Sequence, residues 1–147
     1  MTSQPPSAFA SPESQKRAAQ GALRVLLVED LPRVQLMLRE LIEEPGRFEV
    51  VGVADTEEQA FALYEQREPE VVVVDLNLRS GTGMGVLQRI RQRKSAVRPL
   101  LIVLTNHTLP VLRNACEKAG ADHFLDKSRE FAQVRTLIEE RAKGIAA

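Results

Sequence analysis

The sequence contains one cysteine in 147 residues. No disulfide can form within the chain, and nothing points to an oxidising compartment. Neither sign of charge is in surplus, since 20 Lys and Arg stand against 20 Asp and Glu. That balance gives no electrostatic reason to expect nucleic acid or an anionic membrane surface as partner. No apolar run approaches the roughly 20 residues that a membrane-spanning helix requires. Met1 to Ala22 lack the charged start and apolar stretch of a secretory signal, so a cytoplasmic protein is expected. What is present suits one globular domain: 44% hydrophobic and 27% charged residues supply a core and a solvated surface.

Residues 1–22 are rich in Ser, Pro, Ala and Gln and lack hydrophobic periodicity. They read as a disordered N-terminal tail, and 23–147 as the domain. Within it, short apolar runs alternate with helical patterns. The runs are Arg24 to Val28, Phe48 to Ala54, Val71 to Val74, Pro99 to Leu104 and Asp122 to Leu125. Between them, apolar faces recur at helical spacing: Val34, Met37, Leu38, Leu41 and Ile42; Val86, Leu87 and Ile90; Leu112, Ala115, Cys116 and Ala119; Val134, Leu137 and Ile138. Pro45-Gly46 stops the first helix. Thr56 caps the second, with Gln59 as capping-box partner, and that helix ends near Glu68, before Pro69. Gly120 ends the fourth. The unbroken valine run fits a central strand covered on both faces. Strand and helix alternating five times predict an α/β, doubly wound fold with a parallel sheet in the order 2-1-3-4-5. In that order the ligand crevice lies at the C-terminal ends of strands 1 and 3.

Chemistry gathers at those ends. Strand 1 finishes in Glu29-Asp30, strand 3 in Asp75 and strand 4 in Thr105, and Lys127 follows strand 5. Carboxylates converging from adjacent strands repel one another unless a cation sits among them. Mg²⁺ fits that role, because it takes one or two carboxylates and leaves room for phosphate oxygens. Asp75 could then act as nucleophile toward a phosphoryl group and form an aspartyl phosphate. Lys127 and Thr105 would serve the remaining phosphate oxygens.

With these residues in this order, the stretch from Arg24 to about Lys143 resembles the receiver domain of bacterial two-component response regulators. The matching features are the acidic pair Glu29-Asp30, the valine strand ending at Asp75, Thr105, Lys127, and Phe124 three residues before that lysine. The resemblance implies a flavodoxin-like (βα)5 fold. It implies that Asp75 accepts phosphate from a sensor histidine kinase or a phosphotransfer protein. Asp30 and Asp75 would bind Mg²⁺ directly, Glu29 largely through water, and Asn77 through its backbone carbonyl. Lys127 would pair with Asp75 and then with phosphate. Thr105 and Phe124 would be the switch pair, changing the partners of the face made by the fourth helix, fifth strand and fifth helix. On this view the protein is a phosphoacceptor with self-catalysed phosphotransfer and dephosphorylation, not an enzyme acting on a separate substrate. The chain stops soon after the fifth helix. A stand-alone response regulator is therefore expected, acting on a downstream protein partner or in a phosphorelay, as a monomer or a phosphorylation-dependent dimer, without nucleic acid or membrane.

Some positions depart from the family pattern. Arg79 stands where relatives carry proline, Thr82 where they carry aspartate or serine, and Ser128 where they carry a cis-linked proline. Asn106 replaces a small residue, and its bulk is expected to restrict phosphodonor or water access. His107 occupies a position where variation tunes phosphate lifetime.

Each residue also has an ordinary explanation. Acids suit a helix N-terminus, Thr105 could be a cap, and a lysine is most often a surface residue. Gly81-Thr82-Gly83-Met84-Gly85 follows the wrong strand for a dinucleotide loop and reads as a flexible loop. Arg89, Arg91, Arg93 and Lys94 read as a solvated helix end. Cys116 reads as packing, and His107 and His123 lack metal-ligand spacing. Two alternatives stay open. One is a receiver-like scaffold that binds partners without phosphorylation. The other is a hydrolase or nucleotide-binding enzyme on the same scaffold, since fold does not fix function.

Overall fold

The computed structural model describes residues 21–146. Most of the expected N-terminal tail, residues 1–20, lies outside them. The described residues form five strands and five helices in strict alternation. The strands are β1 (Leu23–Val28), β2 (Phe48–Ala54), β3 (Val71–Val74), β4 (Leu100–Thr105) and β5 (His123–Asp126). The helices are α1 (Pro32–Ile42), α2 (Glu57–Arg67), α3 (Gly83–Gln92), α4 (Pro110–Ala119) and α5 (Gln133–Ala146). All strand pairs are parallel, in the order β2-β1-β3-β4-β5. The expected fold class and strand order are both found.

Side-chain alternation along the strands splits the core in two. Leu26, Val28, Val72, Val74, Leu101, Val103 and Phe124 face α2, α3 and α4, meeting Ala60, Tyr64, Val86, Leu87, Ile90 and Cys116. Leu23, Val25, Leu27, Val71, Val73, Ile102, Leu104 and Leu125 face α1 and α5, meeting Leu38, Ile42, Val134 and Ile138. All four residues of β3 are buried, as a strand covered on both faces requires.

The boundaries carry local physics. Thr56 Oγ1 accepts the Gln59 N–H at 3.1 Å, and the Gln59 side chain returns to the Asp55 N–H, completing a capping arrangement one position wider than the usual box. Glu68 ends α2 in the left-handed region at φ 47°, just before Pro69. Gly120 caps α4 at φ 110°. Strand ends differ from expectation by one residue at β1, β4 and β5, and two differing boundaries, those of α1 and β5, have a local cause. α1 ends at Ile42, ahead of Pro45-Gly46, because Glu43 is already extended. β5 begins at His123, one residue late, because the Asp122 carboxylate accepts the Leu101 N–H and leaves the strand pairing to start at Ile102 and His123.

Two readings are corrected in part. The glycine-rich segment is not a loose loop. Gly83 to Gly85 form the start of α3, with Thr82 as cap, its Oγ1 accepting the Gly85 N–H at 3.0 Å. Gly83 is required there, because a Cβ would strike the Asp75 carbonyl. The arginine run is a solvated helix end only at Arg93 and Lys94, which are exposed. Arg91 turns inward and donates to the Gly120 and Pro99 carbonyls and to Asp122. Arg89 lies over the Phe61 ring beside Glu58, and Arg93 pairs with Glu65.

Candidate functional site

The parallel register levels the strand ends. The Asp75 N–H donates to the Val28 carbonyl at 2.9 Å, and the Glu29 N–H donates to the Ala54 carbonyl at 2.8 Å. The residues that follow β1 and β3 are thereby brought side by side. Glu29, Asp30 and Asp75 each offer an oxygen, and the three oxygens lie within 4.8 Å of one another. Glu29 and Asp75 are only 2% and 7% exposed. Two buried carboxylates side by side are uncommon on stability grounds alone.

Lys127 reaches back into this cluster from beyond β5. Its Nζ donates to Glu29 Oε1 at 2.8 Å and to Asp75 Oδ2 at 2.9 Å. The lysine is fixed by its own backbone, whose N–H donates to the Thr105 carbonyl at 2.9 Å. Burial alone would lower its pKa. The hydrogen bonds and charges of Glu29 and Asp75 outweigh that, and the ammonium ends above its usual range. Burial pushes the Glu29 carboxyl up, and Lys127 and the Leu31 N–H pull it only partway back. Among the described residues, one ammonium, bonded to Glu29 and Asp75, thus stands against a cluster of three carboxylates.

That surplus is what a hard cation would satisfy. The donors are all oxygens, they converge, and Lys127 approaches Glu29 and Asp75 and leaves most of the negative charge uncompensated. The set fits Mg²⁺, which prefers carboxylate and carbonyl oxygens and keeps several waters. The Asn77 backbone N–H lies 3.4 Å from Asp75 Oδ1, at the long end of hydrogen-bond range, which places this loop residue beside the cluster.

The other expected residues are placed as follows. Thr105 ends β4 fully buried, and its Oγ1 accepts the His107 N–H at 3.2 Å. Phe124 lies inward in β5, 6% exposed. Arg113 of α4 sits over its ring at 4.8 Å and donates to its carbonyl at 3.3 Å. Asn106 and His107 are exposed. Among the described residues there is no cis peptide bond, so Lys127-Ser128 is trans. Ser128 instead donates to Asp126 Oδ1 through both its N–H and its hydroxyl.

Sequence reasoning missed the supports. The Gln35 amide donates to the Glu29 carbonyl at 2.6 Å and holds the end of β1 against α1. Asp55 and Glu57 bind the loop after Asp75 through Arg79 and Thr82. Arg79 and Thr82 had been noticed only as departures from the family pattern; what they touch was not readable.

The comparisons with known proteins agree with this geometry. The family model described as "Response regulator receiver domain" matches residues 25–139. The nitrate/nitrite response regulator protein NarL of Escherichia coli (strain K12) is 28% identical over 82% of this chain and 55% of its own length. The sensory/regulatory protein RpfC of Xanthomonas campestris pv. campestris is 31% identical over 92% of this chain and 19% of its own length. The crystal structure of a two-component response regulator of the LuxR family from Aurantimonas sp. SI85-9A1 superposes with a TM-score of 0.73. It is 32% identical, over 84% of this chain and 86% of that one. The chain spans about half the length of NarL and about a fifth of RpfC. With the family model covering most of its length, the chain belongs to the response regulator receiver domain family.

Proposed function

We propose that this receiver domain accepts a phosphoryl group on Asp75 from the phosphohistidine of a sensor histidine kinase or phosphotransfer protein, with Mg²⁺ in the acidic pocket. One observation carries the reading: Asp75 is buried at the end of the central strand, grouped with Glu29 and Asp30 within 4.8 Å and bonded to Lys127 at 2.9 Å. Glu29, Asp30, Asp75 and the Asn77 carbonyl would hold the cation, which when bound offsets the charge of the phosphate oxygens.

The chain's own residues account for the remaining roles. A carboxylate oxygen of Asp75 attacks phosphorus, the phosphorus–nitrogen bond to the donor imidazole breaks, and its electron pair stays on that nitrogen, which takes up a proton. Lys127 gives up its contact with Asp75 and meets a phosphate oxygen. The Thr105 hydroxyl turns from the His107 N–H to donate to another. The phosphate of the product carries roughly 1.5 to 2 negative charges where the Asp75 carboxylate carried one, so the site gains about one negative charge at most. Phe124 follows Thr105 further inward, and the face of α4, β5 and α5 changes its protein contacts. The balanced charge of 20 against 20 favours a protein over a nucleic acid as the direct partner of this domain. No helix among the described residues is long and apolar enough to cross a membrane.

Acetyl phosphate with Mg²⁺, followed by intact mass, tests the assignment. The expected result is one phosphate adduct on the wild type and none on Asp75→Asn or in EDTA. An adduct that persists in Asp75→Asn would place the acceptor elsewhere. Mg²⁺ binding without any adduct, even with histidine phosphodonors, would favour a receiver-like scaffold that acts unphosphorylated.

A further inference from the structure

The loop between β3 and α3 is held at several points. Asn77 bridges Thr82, closing a turn over residues 78–81. The outer edge of that turn is bonded to the loop between β2 and α2. The Arg79 N–H donates to the Asp55 carbonyl at 3.0 Å, and the Glu57 N–H donates to the Ser80 carbonyl at 2.9 Å. The Asp55 carboxylate accepts both Nε and Nη2 of Arg79, at 3.0 and 3.2 Å. Glu57 Oε1 accepts the Thr82 N–H at 3.0 Å. Gly81, at φ 74°, is confined further, because a Cβ there would run into the Glu57 side chain. Two carboxylates, Asp55 in one loop and Glu57 at the first position of α2, thus grip two points of the other loop. The gripped turn starts at Asn77, two residues before Arg79.

We propose that Arg79 is a positioning residue for cation binding: its ion pair with Asp55 fixes the turn that presents the Asn77 carbonyl to the acidic pocket. This rests on the reading of that pocket as a Mg²⁺ site. Mg²⁺ demands oxygens at about 2.0–2.1 Å in near-octahedral order, so a carbonyl on an unrestrained turn contributes little. The paired charges hold the Asp55 carboxyl below its usual range and the Arg79 guanidinium above its own.

The clamp and the bare charge of Arg79 make opposite predictions. A guanidinium four residues from Asp75 repels a second cation, so on charge alone its removal tightens Mg²⁺ binding. As a clamp, its removal loosens binding.

Mg²⁺ titration of the full chain by calorimetry decides between them. Arg79→Ala is expected to weaken binding about twofold to fivefold, the range set by an exposed ion pair, with a melting temperature close to that of the wild type. The charge-swapped double variant Asp55→Arg/Arg79→Asp is expected to recover most of the affinity, while each single swap does not. In metal-free protein, Arg79→Ala should also speed amide exchange at Glu57, whose N–H binds the Ser80 carbonyl across the two segments. Binding in Arg79→Ala equal to or tighter than wild type would overturn the clamp and leave the pocket reading intact. A wild type that binds no Mg²⁺ would sink both.

Discussion

The two ends of the sheet treat buried charge in opposite ways. Where the strands begin, cations and acceptors are matched. Arg24, 7% exposed, donates to the carbonyls of Arg67 and Glu68 and pairs with Glu70, which is 2% exposed and also accepts the Arg24 backbone N–H. Arg91 and Arg98 share Asp122, and Arg91 adds the Pro99 and Gly120 carbonyls. Where the strands finish, Glu29, Asp30 and Asp75 cluster around one ammonium among the described residues, that of Lys127, which pairs with Glu29 and Asp75. The matched end returns the cost of desolvation as hydrogen bonds and aligns the starts of β1, β3, β4 and β5. The unmatched end leaves repulsion standing, and such a surplus persists where a ligand or a reaction uses it. Buried charge alone does not distinguish architecture from site; the balance of charge does.

The comparison is most exposed at Glu70. Glu70→Leu removes the buried carboxylate that accepts the Arg24 N–H at 2.7 Å and pairs with its guanidinium, and should cost about 3 kcal/mol of stability, as broken buried pairs do. Urea denaturation measures the loss, and Mg²⁺ affinity should stay at the wild-type value. A loss below about 1 kcal/mol, the range of an exposed pair, would remove the structural role assigned to this end.

Asp30→Asn probes the other end with the opposite sign. Removing one of three like charges should raise the stability of the metal-free protein by about 1 kcal/mol or less, while weakening Mg²⁺ binding, a stability-for-function exchange common at active sites. If the variant is less stable without metal, the carboxylates are not in surplus and the contrast between the ends fails.

The acidic end was legible in the sequence, for a physical reason; the matched end was not. Strand ends are where β-branched runs give way to polar residues, so Asp75 after Val71–Val74 and Thr105 at the close of β4 announce themselves. The alternation of runs and helical patterns then sets the strand order, and the order brings Glu29 and Asp30 beside Asp75. The contacts between loops were not legible. Asp55 and Arg79 lie 24 residues apart, Glu57 and Thr82 25 apart, in segments with no periodicity to pair them. Arg91 was misread because helix position alone puts it among exposed cations. Only the packing of α3 against the starts of β4 and β5 turns it inward, onto the Pro99 and Gly120 carbonyls.

The smallest expected effect is one of pH, and it again sets the ends apart. Glu29 has its carboxyl pushed up by burial, against the partial relief of Lys127 and the Leu31 N–H. The folded protein therefore holds the Glu29 proton more tightly than the unfolded chain does. Stability from this group is fully present below the unfolded value of 4.5 and is lost as pH rises through the higher folded value. Glu29→Gln cannot ionise and escapes that loss. Measured in EDTA, the stability of Glu29→Gln relative to wild type should climb as pH rises from about 4.5 toward neutrality and then level off. Lys127 runs on a separate scale: its folded pKa lies above 10.5, so its contribution is constant across this window and fades only in alkali. A Glu29→Gln difference that stays flat from pH 4 to 7 would mean that Lys127 compensates Glu29 fully, and that the negative surplus rests on Asp30 and Asp75 alone.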